Sequence, residues 1–408
     1  VFMASTYKEL PKKWYIQGMK SRLYFLDNLR TFLIFLVVVL HAGIVYEPIL
    51  ENTWIVSDPV KNSSIGLIRM YLDIFVMFML FFISGYFIPN SVRNKSDWSF
   101  VISKFRRIIL PWMVAVFTMI PAYKAIFLYS RGLPQEAWYT YFHFFQRTGG
   151  DMSSFADNPV QNWLWFLPIL FVFQLVYLGL SKSKLLSFRI SLKTGVILTL
   201  VIGVTYGMLI SILDLRGWYH SAFLHFQNER LFIYFMVFLL GSLCSKLGVF
   251  DSSKKNIKLY IWANVSLTLS LGVFTVVALN LFFNMIDPAR NYFFVSETID
   301  RIAYYTSLLT SMFSFLYVFI YTFRFSFNKT NRVMQELNMN SYAVYIIHLP
   351  VIGMIALLFL DVNLAPMMKY LLVTLLAFFV SNLLVTAYRK TVQPFFSNKI
   401  FSIVVTIA

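Results

Sequence analysis

An all-α, polytopic integral membrane protein, with about ten transmembrane helices and both termini in the cytoplasm, is the fold that this sequence predicts. Three observations predict it. The 408-residue chain is 59% hydrophobic and 13% charged, with a mean hydropathy of +0.68. A soluble domain carries about twice that charged fraction. Ten apolar segments, at 29–46, 67–89, 108–129, 163–180, 194–213, 230–247, 258–283, 301–324, 341–360 and 368–388, are each long enough, or nearly so, to cross the hydrocarbon core. Finally, charge sorts by loop. The N-terminal segment, the even-numbered loops and the C-terminal tail hold 25 of the 35 Lys and Arg, and the other loops hold 10, while Asp and Glu divide 5 against 13. The positive-inside rule makes the basic side cytoplasmic. Nine or eleven spans would scramble the alternation.

The same sorting explains the net charge of +17 as topogenic and excludes a nucleic-acid partner. The expected organisation is a cytoplasmic segment at 1–28, a ten-helix membrane domain over 29–390 and a short tail at 391–408. Residues 1–28 show no small-residue cleavage site, so no signal peptide is expected. The one cysteine, Cys244, permits no intramolecular disulfide and reads as a small buried residue. The longest outer stretch, 130–162, holds Trp138, Tyr139, Tyr141, Phe142, His143, Phe144 and Phe145. So aromatic a loop lies in the interface or folds over a cavity. After Pro394 the tail reads as a half-buried surface helix.

The first segment contains groups that lipid does not tolerate. FLDNLRTFLIFLVVVLHAG carries Asp27, Arg30 and His41. An Arg or Asp at a helix centre costs about 2.5–3.5 kcal/mol, so such groups face a protein interior or a wet cavity. Arg30 and His41 are eleven positions apart, which at about 100° per residue places them on one stripe, roughly 16 Å apart along the axis. Asp27, one turn before Arg30, reaches its guanidinium. Asp73 on the second segment matches His41 in depth and is expected to orient it, as a carboxylate orients a histidine base. His348, with Tyr345 one turn before it, is a second intramembrane histidine, placed somewhat lower than His41. KFRRIILPW puts Lys104, Arg106 and Arg107 at the cytoplasmic mouth of the third segment, with Pro111 kinking the entry. Clustered guanidinium forks suit phosphate oxygens.

Taken together these residues resemble the acyltransferase 3 family of membrane proteins over nearly the whole chain. Arg30 and His41 match its Arg-X10-His motif. FFISGYF, the start at Arg106, Arg107 and Pro111, WLWFL at 163–167, and SYAVYIIH follow in order. The wording of the first segment is most similar to the branch containing glucan biosynthesis protein C. One position departs: many members carry a carboxylate after the WFL, where this chain has Pro168, Ile169 and Leu170.

The resemblance implies an O-acyltransferase of the bacterial inner membrane. It moves an acyl group, acetyl or succinyl, from cytoplasmic acyl-CoA to a hydroxyl of an extracytoplasmic glycan, without a metal. In that reading Arg30, Arg106 and Arg107, with Asp27, hold the donor's phosphates. His41 is the general base, with Asp73 orienting it, and Tyr345 or His348 supplies the oxyanion donor. Trp163 and Trp165 contact substrate. The rival reading is a proton-coupled secondary transporter with His41, Asp73 and His348 as a relay. Against it, the sequence shows no inverted repeat and no matched pair of broken helices.

Overall fold

The computed structural model describes residues 22–49, 54–136, 162–183, 190–221, 224–287 and 289–392. The aromatic run from Trp138 to Phe145 and the tail beyond 392 lie outside them. Ten helices long and apolar enough to span occur among the described residues. They are α1 (Tyr24–Ile44), α2 (Ser63–Arg93), α3 (Asp97–Ser130), α4 (Asn162–Lys182), α5 (Leu192–Ile212), α6 (Asn228–Lys246), α7 (Ile257–Ile286), α8 (Glu297–Ser326), α9 (Arg332–Leu358) and α10 (Pro366–Val392). One short hairpin, β1 (Trp218–His220) and β2 (His225–Gln227), joins α5 to α6.

Several helices begin well before their apolar stretch, because a polar residue caps them. The side chains of Asn62, Ser296 and Asn331 accept from the backbone N–H of Ser64, Ile299 and Met334. Each satisfies an end donor that would otherwise be orphaned. α9 thus starts at Arg332, nine positions before its apolar run. His348 therefore stands sixteen residues above the start of its helix rather than the seven that hydropathy alone suggests.

α1 and α9 are the most enclosed spans, and α5 and α7 the most peripheral. α1 packs against α2, α8, α9 and α10, and α9 packs in turn against α3 and α10. The lower contact of α1 with α9 is polar. Asn338 donates to Asn28 Oδ1 at 2.8 Å and accepts from Thr31 Oγ1 at 2.5 Å, while Asn28 donates to the carbonyls of Phe327 and Lys329. All three side chains are buried. In a membrane interior such groups must satisfy one another.

Two prolines shape the site. Pro111 has no N–H to give to the carbonyl of Arg107, four residues before it. The chain answers with a π-turn over Phe105–Ile109, and the freed Arg107 carbonyl accepts the Tyr342 hydroxyl at 3.0 Å. Pro350 does the same inside α9. It strands the Ile346 carbonyl, which accepts Trp163 Nε1–H at 3.1 Å. α3 and the start of α4 are fastened to α9 at these two points.

α2 and α6 cross at backbone distance. A Cβ on Gly85, in the FFISGYF stretch, would overlap the Phe238 carbonyl, and one on Gly241 would overlap that of Phe82. Cys244, lower on α6, is buried and unpaired with another cysteine. Gly85→Ala should therefore lower the melting temperature of the purified protein in detergent, overpacking costing about 1–3 kcal/mol or more. Gly272→Ala, on the open face of α7 with nothing within 4 Å, should leave it unchanged or raise it. Equal effects would show that α2 and α6 do not cross this closely.

Candidate active site

One turn after another, α9 meets polar side chains of its neighbours. Near its start, the Asn338 carbonyl accepts from Arg30 at 3.4 Å. Arg30 Nη2 also lies 3.5 Å from Asp27 Oδ1, whose other oxygen accepts from Arg22 Nε at 2.8 Å. The Arg30 side chain is half-buried, and its Nε is buried with no hydrogen-bond partner. One turn up, Tyr342 holds the π-turn that carries Arg106 and Arg107, both of them exposed. Arg30 and the backbone of the Arg106–Arg107 turn are thus held at neighbouring turns of α9.

Ten residues above Asn338, His348 meets His41. His41 Nδ1 lies 2.9 Å from His348 Nε2, and the ring centroids are 5.0 Å apart. His348 Nδ1 lies 2.7 Å from the carbonyl oxygen of Tyr345. That oxygen can only accept, so Nδ1 of His348 carries the proton. In a neutral imidazole the other nitrogen is then the acceptor, so His348 Nε2 accepts from His41 Nδ1–H. His41 is left with its lone pair on Nε2. His348 is fully buried, whereas His41 is half-buried and stands near the end of α1. The accessible ring offers the basic nitrogen, and the buried ring fixes which nitrogen that is.

The segment after α1 closes over this pair. Trp54 stacks on His41, with centroids 5.6 Å apart and planes 17° from parallel, and Tyr123 meets its edge at 6.3 Å. Arg131 donates to the Trp54 carbonyl at 2.9 Å, and Ser130 to that of Ile55 at 3.3 Å. Two ion pairs anchor the same segment: Asp58 with Lys369 at 2.7 Å, both buried, and Glu47 with Arg69 at 3.0 Å. Burial pushes the Glu47 carboxyl up from its ordinary range, and Arg69 acts against that shift. The Tyr46 hydroxyl is likewise pushed up by burial and by Asp58.

Three expectations are corrected by this geometry. Asp73 does not orient His41. It faces α6, where its carboxylate pairs with buried Arg230 at 2.7 Å and its carbonyl accepts from the same guanidinium. His348 is level with His41 rather than below it, because α9 starts early. Tyr345 is no free oxyanion donor. Its hydroxyl donates to the Trp163 carbonyl at 2.5 Å, within a buried cluster.

Trp163 is itself buried, with both its carbonyl and its indole N–H engaged by α9, and its ring stacks on Tyr123. It positions the helices rather than facing an open site. Trp165 is half-buried, edge-on to Trp218 of the hairpin at 5.6 Å and stacked on Tyr234 at 6.1 Å. Sequence reasoning missed Arg230 and Trp54. An arginine in the first turn of a span was a signal for the first; Trp54, in a connecting segment, offered none.

The acyltransferase 3 family model, an acyltransferase domain, matches residues 23–386, from the start of α1 into α10. Among curated proteins and among solved structures, none matches the chain.

The Asp73–Arg230 pair predicts coupled stability effects. Breaking a buried pair costs about 3–5 kcal/mol, and the half-exposed carboxylate places this one toward the low side. Asp73→Asn and Arg230→Gln should each lower the melting temperature, and the double variant should fall no further than the worse single one. Additive losses would separate the two residues.

Proposed function

We propose, for a chain that belongs to the acyltransferase 3 family and so is an acyltransferase, that His41 is the general base in acyl transfer across a bacterial inner membrane. The donor is acyl-CoA, presented at the cytoplasmic end. The acceptor is a glycan hydroxyl that enters from outside. The charge sorting supports this orientation, with the basic end inside. The wording of the first helix is the support for the glucan-modifying branch; acetyl or succinyl is the group proposed for transfer.

The observation that carries the reading is the directed pair of imidazoles. It leaves Nε2 of the half-buried His41 unprotonated and ties its other nitrogen to a fully buried ring. Arg30, Arg106 and Arg107 take the polyanionic end of the donor in this reading, which their guanidinium forks support by matching phosphate oxygens. The roughly 16 Å from Arg30 to His41 along α1 is a distance for the donor's flexible arm to span.

The reaction then balances on His41. Its Nε2 takes the proton from the acceptor hydroxyl as the oxygen attacks the thioester carbonyl carbon. The carbonyl electron pair moves onto oxygen. It returns as the carbon–sulfur bond breaks, and the departing thiolate takes the proton back from Nε2. The net result is an ester and a free thiol, with His41 restored. His348 acts through His41 by holding its tautomer, so it is a positioning residue.

Proteoliposomes with labelled acyl-CoA on one side and acceptor glycan on the other test the reading. His41→Ala should cut transfer by roughly 10²–10⁴ while acyl-CoA still binds, the usual worth of a positioned base. His348→Ala should cost less, and should move the pH dependence of the rate, since it frees the His41 ring to adopt either tautomer. Full activity of both variants, or a greater loss from His348→Ala, would overturn the assignment.

A further inference from the structure

We infer that the indole N–H of Trp54 is the hydrogen-bond donor that receives the negative charge of the tetrahedral intermediate. The inference rests on the acyl-transfer reading of the His41 site. Transfer of an acyl group places a full charge on the former carbonyl oxygen, and an enzyme needs a preorganised donor at that point. Tyr345, the donor expected from the sequence, has its hydroxyl committed to the Trp163 carbonyl. His348 donates to the Tyr345 carbonyl and accepts from His41.

Trp54 is different. Its ring is 8% exposed, and its Nε1 is buried with no hydrogen-bond partner. Buried N–H groups are nearly always paired, and leaving one unpaired is costly. The indole is nevertheless held firmly without using that donor. One face stacks on His41, Tyr123 packs against it at a near right angle, its carbonyl is held by Arg131 and the next carbonyl by Ser130. The protein thus fixes a donor beside its base and leaves it unspent.

The relative geometry suits the chemistry. An indole N–H lies in its ring plane, and so does an imidazole lone pair. The two planes here are 17° from parallel, with centroids 5.6 Å apart. In this inference a tetrahedral carbon sits beside the stacked rings, with its attacking oxygen toward His41 Nε2 and its oxyanion toward Trp54 Nε1–H. No further proton moves: Trp54 donates a hydrogen bond as charge develops and relaxes when the carbon–sulfur bond breaks.

Replacing Trp54 with β-(benzothienyl)alanine keeps the bicyclic shape and substitutes sulfur for N–H. Assayed in the full-length protein in proteoliposomes, it should lower kcat by roughly 10²–10³, the usual loss for one oxyanion donor. KM for acyl-CoA and for acceptor should stay within about twofold, and the melting temperature should be equal or higher, because an orphaned polar group is gone. Trp54→Phe should lose activity to a similar degree. A rate within about threefold of the unsubstituted protein would reduce Trp54 to packing and overturn the inference. So would a raised KM at unchanged kcat, which marks a ground-state contact, or a lowered melting temperature with proportionate loss, which marks a structural partner. Absence of transfer in the unsubstituted protein would instead remove the acyl-transfer reading. The two failures are distinct, because the first leaves that transfer intact.

Discussion

A proline inside a membrane helix strands the carbonyl four residues before it, and hydrocarbon offers that carbonyl no water. This constraint organises the protein. Pro350 exposes the Ile346 carbonyl and Pro111 that of Arg107; Trp163 and Tyr342 satisfy them. Each repair is also a fastening between helices. The first draws α4 against the turn that carries Tyr345 and His348. The second sets the arginine-bearing π-turn of α3 against α9. A backbone defect thereby becomes the means of fastening α3 and α4 at fixed heights against α9.

Polar burial elsewhere serves the same arrangement. The Asn28–Asn338–Thr31 cluster locks the lower half of α1 to α9, and the two histidines lock the upper half. Between these contacts α1 cannot slide without breaking one of them. Asp58–Lys369 and Glu47–Arg69 then hold the segment that brings Trp54 over His41. Such pairs contribute little net stability, because their desolvation offsets their attraction, but they penalise every other register. Positional precision is what a transfer site needs, since a misplaced reacting group forfeits most of the benefit of proximity.

Much of this was legible in the sequence. Hydropathy and charge sorting gave ten spans, and the eleven-residue spacing put Arg30 and His41 on one stripe, where both meet α9. Helix starts were less legible, because hydropathy sees only the apolar part of a capped helix. The early start of α9 at Arg332 is why His348 was placed too low. Asp73 shows a different limit. Depth along the membrane follows from counting residues, but rotation about the helix axis does not, and Asp73 is turned toward Arg230. Gly85 sat in a motif whose reason appears only where the α6 backbone passes. Trp54 lies in a connecting segment with no periodicity, so only the fold reveals its ring on His41.

His348 holds His41 in the tautomer whose Nε2 is bare, and nitrogen NMR reads that tautomer directly. The chain has only 5 histidines, so nitrogen NMR of the protein carrying ¹⁵N-labelled histidine resolves each ring, with His41→Gln and His348→Gln spectra assigning the pair. A protonated Nδ1 and an unprotonated Nε2 are expected on both rings in the resting enzyme, with a coupling between His41 Nδ1–H and His348 Nε2. A proton on Nε2 of His41, with Nδ1 bare, would contradict it.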